Sequence, residues 1–135
     1  DAIFDFNFKH SNILLTPHKG EMKRLTASSK PEDLLEYASK NGVTLLVKGE
    51  VDIITDGNLM KENRSGHPRM TVGGTGDVLA GVCGAFVAKG LTPFESARLA
   101  AYSLGKAGEN CYEEIGAGFL PTDLTLSLSK VLRRN

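Results

Sequence analysis

The chain contains 135 residues, which is enough for one ordinary domain and too few for two. Sixteen basic residues balance sixteen acidic ones, and no dense Lys/Arg stripe occurs, which argues against nucleic acid or an anionic membrane as the main partner. No apolar run approaches the roughly 18 residues of a membrane span, and the start of the chain does not resemble a signal peptide. Cys83 and Cys111 form neither a C-x-x-C pair nor a metal spacing, so we expect buried, reduced cysteines in a cytoplasmic protein.

The first third of the chain predicts short strands alternating with helices. Residues 12–16 are an apolar run of the kind that forms a buried strand, and residues 20–26 read as one or two helical turns. Pro31 opens a clearer helix over 31–41, which a glycine follows. Residues 43–48 predict a second strand with little alternation, as expected when both faces are covered.

The remainder predicts a hairpin, a loop and then helices. Residues 51–55 and 59–62 flank an Asp-Gly-Asn turn signal and read as a β-hairpin, and residues 63–73 read as a loop. The predicted helices are 77–89, 93–112 and a last one that Thr122 caps and that ends at Leu132. The alternation predicts an α/β fold, with parallel strands expected.

A glycine-rich stretch, MTVGGTGDVL over 70–79, opens the first of these helices. Its glycines, Gly73, Gly74 and Gly76, do not have the G-x-G-x-x-G spacing of a dinucleotide fingerprint, and no G-K-[ST] follows as in a P-loop. A glycine turn that leads into a helix nevertheless presents free backbone N–H groups and the positive end of the helix dipole. The stretch therefore predicts a site for a phosphate or another oxyanion.

Asp77 lies in the first turn of this helix, where the dipole favours its ionised form. A carboxylate beside a bound phosphate is electrostatically unfavourable unless it has a task, and accepting a proton from an attacking hydroxyl is such a task. The structural alternative is an ordinary capping aspartate after a glycine turn. Small residues throughout the helix shift the balance towards a site without deciding it.

Two further stretches end predicted strands, where α/β sheets bind ligands. TPHKGE over 16–21 offers His18 and Glu21 as ligand contacts, and a plain polar loop is the alternative. LVKGEVD over 46–52 offers Lys48 beside Gly49, and a β-turn with solvated charge is the alternative.

Taken together, these motifs resemble the ATP- or ADP-dependent NAD(P)H-hydrate dehydratases of the ribokinase-like superfamily. The resemblance rests on T-P-H-x-G-E, on K-G followed by D-I-I and D-G, and on N-x-x-G-x-P-x-M-x-x-G-G-T-G-D-V-L-A-G. It runs from about residue 12 to the end, and residues 1–3 resemble the close of the family's D-A-D-A-L strand. The family's N-terminal half does not occur in these 135 residues. The resemblance implies a three-layer α/β/α fold of which this chain is the C-terminal part.

The family's reaction implies roles for the matched residues. Its substrate is NADH or NADPH hydrated at ring C6, whose hydroxyl the nucleotide phosphorylates before phosphate leaves. By resemblance, Asp77 takes the hydroxyl proton, His18 and Glu21 contact the substrate together with Asp77, and Mg²⁺ screens the phosphates. The residues implied for ATP or ADP binding are Lys48, Gly49, Glu50, Val51, Asp52, Asn63, Gly73, Gly74, Thr75 and Gly76.

Two other functions stay open on the sequence. A small-molecule kinase of the same superfamily, such as a thiamine-precursor kinase, shares G-x-G-D but should lack the other two motifs. A non-catalytic nucleotide-binding or subunit-interaction module is the other, since the chain is short. We expect the chain to be inactive alone, and either to keep the missing half bound or to self-associate as a homo-oligomer.

Overall fold

A four-stranded mixed sheet forms the centre of the protein, in a computed structural model that describes residues 12–133. The strands lie in chain order: β1 (Leu14–Leu15), β2 (Thr44–Val47), β3 (Asp52–Thr55) and β4 (Met60–Asn63). β1 and β2 are parallel, whereas β2–β3 and β3–β4 are antiparallel. The predicted hairpin is confirmed, and the expectation of parallel strands holds only for the first pair. The resemblance noted for residues 1–3 lies outside the described residues.

Five α-helices accompany the sheet over the described residues. They are α1 (Lys19–Thr26), α2 (Pro31–Asn41), α3 (Thr75–Ala88), α4 (Pro93–Ile115) and α5 (Pro121–Arg133). Proline occupies the first turn of α2 and of α4, where its missing N–H has no intrahelical partner to lose. None of the helices within residues 12–133 is both long and apolar enough to cross a membrane.

Helices cover both faces of the sheet, as the resemblance implied. Leu45 and Val47 of β2 pack with one face's helices, and Leu46 between them points to the other. On the face of Leu45 and Val47, the sheet packs against α1 and α2 in a hydrophobic cluster that includes Met22, Leu34 and Ala38. The face of Leu46 belongs to a larger cluster with α3, α4 and α5, which includes Leu79, Cys83, Ala97, Ala100, Leu104, Cys111 and Leu124.

The observed strands differ from the predicted bounds by one or two residues at their ends, and the last three helices and the loop before them differ as well. α3 begins at Thr75, two residues before the predicted start, and α4 continues to Ile115 rather than 112. Thr122 does not cap α5, because the helix already begins at Pro121 and the Leu120 N–H donates to the Asp123 carboxylate at 2.7 Å. The predicted loop over 63–73 contains a short 3₁₀ turn, Pro68–Met70.

Both cysteines are buried and free, as predicted. Burial raises the pKa of the Cys83 thiol to about 11, so this side chain is a neutral part of the core rather than a nucleophile.

Candidate active site

The topology gathers four of the predicted site residues in a row at one end of the sheet. His18 and Lys48 follow β1 and β2 and form a parallel bridge, in which the Lys48 N–H donates to the Pro17 carbonyl at 2.8 Å. Because β3 runs antiparallel to β2, its first residue, Asp52, lies at this same end, and Asn63 of β4 pairs with it. Polar residues on or directly after the four strands therefore lie together at the end of the sheet that includes the carboxyl ends of β1 and β2, where ligands bind in α/β folds.

The glycine-rich turn presents free backbone donors at the start of α3. Gly74 is the N-cap residue with a φ of 97°, a left-handed conformation that glycine adopts without strain. Within the described residues, no acceptor in the chain bonds the N–H groups of Gly73, Gly74 or Gly76. The N–H of Thr75 donates to the Val72 carbonyl at 3.3 Å, and that of Asp77 donates to the Gly74 carbonyl at 3.1 Å. The free donors are thus those of the three glycines.

Asp77 is the third residue of α3 and is exposed. Gly74 caps this helix with no side-chain hydrogen bond, and no partner of the Asp77 carboxylate occurs within the described part of the chain. The capping alternative is therefore not what the structure shows. The carboxylate is free to accept a proton or to contact a ligand.

Lys48 links the sheet to the glycine-rich turn. Its Nζ atom lies 3.3 Å from the point that a Cβ atom on Gly76 would occupy, so the ammonium group stands over the start of α3. A second cation, Lys19, packs its Cε atom 2.8 Å from the corresponding point on Gly49. Sequence reasoning did not select Lys19 as a site residue, although its place directly after His18 could have indicated it. The two lysines and the free N–H groups make this end of the sheet suited to an anion.

The side chains of Asp52 and Asn63 are hydrogen-bonded to each other. The Asn63 Nδ2 group donates to Asp52 Oδ2 at 3.0 Å, and the Gly49 N–H donates to Oδ1 at 3.1 Å. Burial raises the pKa of Asp52, against the lowering effect of these two hydrogen bonds and of the nearby lysines. The remaining predicted residues of this stretch, Glu50 and Val51, lie in the turn between β2 and β3.

His18 and Glu21 form a capping box at the start of α1. The Glu21 N–H donates to His18 Nδ1 at 3.1 Å, and the His18 N–H donates to the Glu21 carboxylate at 2.7 Å. The second of these bonds is the main reason that the pKa of Glu21 is lowered. The three-residue spacing of this motif thus has a structural cause, and substrate contact by these two side chains stays a prediction.

Comparison with known proteins finds the same family that the motifs resemble. Residues 3–130 match the family model of NAD(P)H-hydrate dehydratase. An ADP-dependent (S)-NAD(P)H-hydrate dehydratase of Cenarchaeum symbiosum is 44% identical over 129 residues, which cover 90% of this chain and 45% of that protein. A bifunctional NAD(P)H-hydrate repair enzyme of Pyrobaculum aerophilum is 43% identical over 129 residues, covering 90% of this chain and 26% of that protein.

A solved structure shares the fold. The ADP/ATP-dependent NAD(P)H-hydrate dehydratase of Bacillus subtilis, co-crystallised with ATP/Mg²⁺, superposes with a TM-score of 0.82 at 27% identity. The superposition covers 90% of this chain and 47% of that one. The chain thus spans about half or less of the length of these relatives. Because the family model matches nearly its whole length, the chain belongs to the NAD(P)H-hydrate dehydratase family.

Proposed function

We propose that this chain is the C-terminal portion of a ribokinase-like enzyme that dehydrates (6S)-hydrated NADH or NADPH at the expense of ATP or ADP. The observation that carries the proposal is the free Asp77 carboxylate beside three unpaired glycine N–H groups and the Lys48 ammonium group. A base, an anion hole and a cation are what transfer of a phosphoryl group to a hydroxyl requires.

The first step is transfer of the terminal phosphoryl group to the substrate. Asp77 accepts the proton of the C6 hydroxyl, whose oxygen forms a bond to phosphorus while the bond to the leaving nucleotide breaks. The N–H groups of Gly73, Gly74 and Gly76 bind the oxygens on which charge develops, and Lys48 neutralises part of that charge. The Oγ1 atom of Thr75 is buried without a hydrogen-bond partner among the described residues, so a bound phosphate oxygen would satisfy it.

The second step is elimination of phosphate. The ring nitrogen supplies its electron pair as the C6–O bond breaks, and the adjacent ring carbon then loses a proton to restore the double bond. The products are NADH or NADPH and free phosphate. His18 and Glu21, at the carboxyl end of β1, would contact the hydrated dinucleotide while Lys48 through Asp52, with Asn63, line the nucleotide site.

Magnesium fits this site as an ion held chiefly by the nucleotide. Within residues 12–133 no group of three or more His, Cys, Asp or Glu side chains could hold a metal ion. Mg²⁺ commonly binds substrate phosphates and waters with few protein ligands, so the nucleotide phosphates would be its main ligands here. When bound, the ion would neutralise phosphate charge.

The rest of the enzyme would complete the site along β1. One edge of β1 is unpaired within the described residues, and beside it lies an apolar cleft of about 380 Å³. The cleft is bounded by Leu14 and Thr16 on the strand and by Ala80 and Cys83 on α3. We infer that the N-terminal half of the domain covers this edge, that the assembled enzyme forms a homo-oligomer, and that it works in the cytoplasm, where free cysteines persist.

Product analysis of the intact polypeptide tests the proposal. With hydrated NADH and ATP or ADP, we expect reduced nicotinamide absorbance to return in step with free phosphate, one for one. Accumulation of a phosphorylated product would instead identify a small-molecule kinase of the same superfamily. Nucleotide binding without any turnover would identify a non-catalytic module.

A further inference from the structure

Residues 65–70, here called the anchor segment, lie along one side of α4. The segment connects Asn63 of the candidate nucleotide site to the residues that lead into the glycine-rich turn. At its start, the Ser65 hydroxyl donates to Asn63 Oδ1 at 2.7 Å, and its oxygen lies 3.3 Å from the carbonyl oxygen of Tyr102 on α4. Further on, the ring of His67 stacks on Tyr112, with centroids 3.7 Å apart and an interplanar angle of 19°. The segment therefore follows α4 for almost three helical turns.

Two glycines of α4 make this close approach possible. A Cβ atom at Gly105 would lie 2.7 Å from the backbone C and O atoms of Ser65, a separation that real Cβ atoms do not reach. A Cβ atom at Gly108 would lie 2.8 Å from Met70 Cγ and nearer still to its sulfur. The first conflict is with backbone, which must move as a whole, and the second is with a flexible side chain. Both glycines are buried.

A charged acceptor of α4 holds the same segment. Gly66 has a φ of 126°, and its N–H donates to the Glu109 carboxylate at 2.9 Å. Lys106 donates to the other oxygen of that carboxylate at 2.7 Å and lowers the pKa of Glu109, which keeps the acceptor ionised. The anchor segment is thus bonded, stacked and sterically fitted to a single helix.

Gly81 and Gly84, in the interior of α3, differ from the two glycines of α4. At Gly81 and Gly84 an added Cβ atom would meet nothing within 4 Å among the residues described. Glycine lowers the stability of a helix interior relative to alanine, and no contact within residues 12–133 requires glycine at these two positions. At Gly105 and Gly108 the reason for glycine is the anchor segment.

We propose that Gly105 and Gly108 are positioning residues for nucleotide binding. They let the anchor segment lie against α4, and the segment in turn places Asn63 on one side and the glycine-rich turn on the other. The proposal rests on the proposed function for the identity of the ligand, a nucleotide. It does not depend on the dehydration step.

The test compares three single variants and one double variant of the intact polypeptide. They are Gly105→Ala, Gly108→Ala, the matched control Gly81→Ala, and Met70→Ala combined with Gly108→Ala. Hydrogen exchange of the 63–73 backbone and the Kd for ATP and ADP are measured for each, and the nucleotide KM and kcat wherever turnover is found. Exchange of α5 serves as the internal reference for global stability.

We expect Gly105→Ala to speed exchange of the anchor segment and to raise the nucleotide Kd, each by about tenfold or more. Gly81→Ala should leave both within about twofold. Gly108→Ala should have a smaller effect, and Met70→Ala should reverse it, because the methyl group then occupies the space that the Met70 side chain leaves. In an active enzyme, KM for nucleotide should rise by a larger factor than kcat falls.

Wild-type exchange and affinity in a folded Gly105→Ala protein would overturn the proposal, as would equal acceleration of exchange in α5. If Gly105→Ala does not fold, Gly108→Ala is compared with the double variant. Exchange and nucleotide Kd closer to wild type in the double variant than in Gly108→Ala support the proposal, and values further from wild type refute it. A wild type that binds nucleotide without turnover would refute the dehydratase function while leaving exchange and Kd as valid tests here.

Discussion

The Asp77 carboxylate accepts no hydrogen bond from a backbone N–H group at the start of α3, whereas the carboxylate of a capping aspartate does. The matched counterpart of Asp77 is Asp33, the third residue of α2, which stands at the same distance from its own helix start. The two residues share the third position of a helix and its dipole, and neither helix has a side-chain cap. They differ in that only Asp77 follows a turn with free glycine N–H groups.

Asp77→Asn should therefore retain the fold and nucleotide binding while lowering turnover by about 10²- to 10⁴-fold, the usual contribution of a general base. Asp33→Asn, the control, should leave turnover unchanged. Steady-state kinetics of the intact enzyme with nucleotide titrations measures both quantities. Near-normal turnover of the Asp77 variant would remove it from the mechanism.

Asp52 gives the site a pH dependence of the unfolding free energy. Burial raises its pKa above the ordinary 3.8, so its contribution to stability is full below about that pH and is lost as the pH rises through the raised pKa. The difference in unfolding free energy between wild type and Asp52→Asn should therefore fall as the pH rises from about 3 through the raised pKa. Denaturant titrations across this range measure it.

Glu21 supplies a control of opposite sign. Its pKa lies below the ordinary 4.5, chiefly because of the hydrogen bond from the His18 N–H, so its contribution is present at neutral pH and is lost on acidification. The difference in unfolding free energy between wild type and Glu21→Gln should rise as the pH increases from about 3. Two slopes of the same sign would contradict the assigned surroundings of these carboxylates.

At the scale of elements, α4 is the helix on which both the core and the anchor segment depend. Its start is fixed by a capping box, in which the Glu95 N–H donates to Thr92 Oγ1 at 3.2 Å and the Thr92 N–H donates to the Glu95 carboxylate at 3.1 Å. Its middle buries Ala97, Ala100 and Leu104. Fraying of α4 at its start would weaken the helix against which the anchor segment packs.

Thr92→Ala should lower the unfolding free energy by about 0.5–2 kcal/mol, because the N-cap acceptor is lost. Thr122→Ala is the control, since Thr122 lies inside α5 and caps nothing. Its effect should stay within about 0.5 kcal/mol. Equal losses in the two variants, measured by denaturant unfolding, would show that the box at Thr92 is not the cause.

Local signals predicted most elements, and distant contacts account for what they missed. Pro31 and the Asp-Gly-Asn turn mark a helix start and a hairpin that the structure confirms. The local sequence predicts a loop for the anchor segment, because the groups that hold it lie far along the chain: Gly66 and Glu109 are 43 residues apart. The glycine-rich turn and the row of residues at the strand ends were accessible from motifs. The capping role of His18 was not, since histidine is not a usual N-cap residue.

At the scale of the whole molecule, β1 is an edge strand of the sheet within residues 12–133, and an apolar cleft lies beside it. We expect these 135 residues, expressed alone, to show no turnover and to migrate above their 14.5 kDa mass through self-association. Addition of the remaining half of the domain should suppress the association and restore activity. Gel filtration and the phosphate assay measure both, and turnover by a 14.5 kDa monomer would contradict this prediction.

The capping box at α1 also determines which tautomer His18 adopts. Since Nδ1 accepts the Glu21 N–H, the neutral ring carries its proton on Nε2. Towards a ligand, His18 can then offer an N–H donor and not a basic lone pair. A ligand group that meets the neutral ring must therefore be a hydrogen-bond acceptor, such as a phosphate or carbonyl oxygen, which agrees with our proposal that Asp77 rather than His18 is the base.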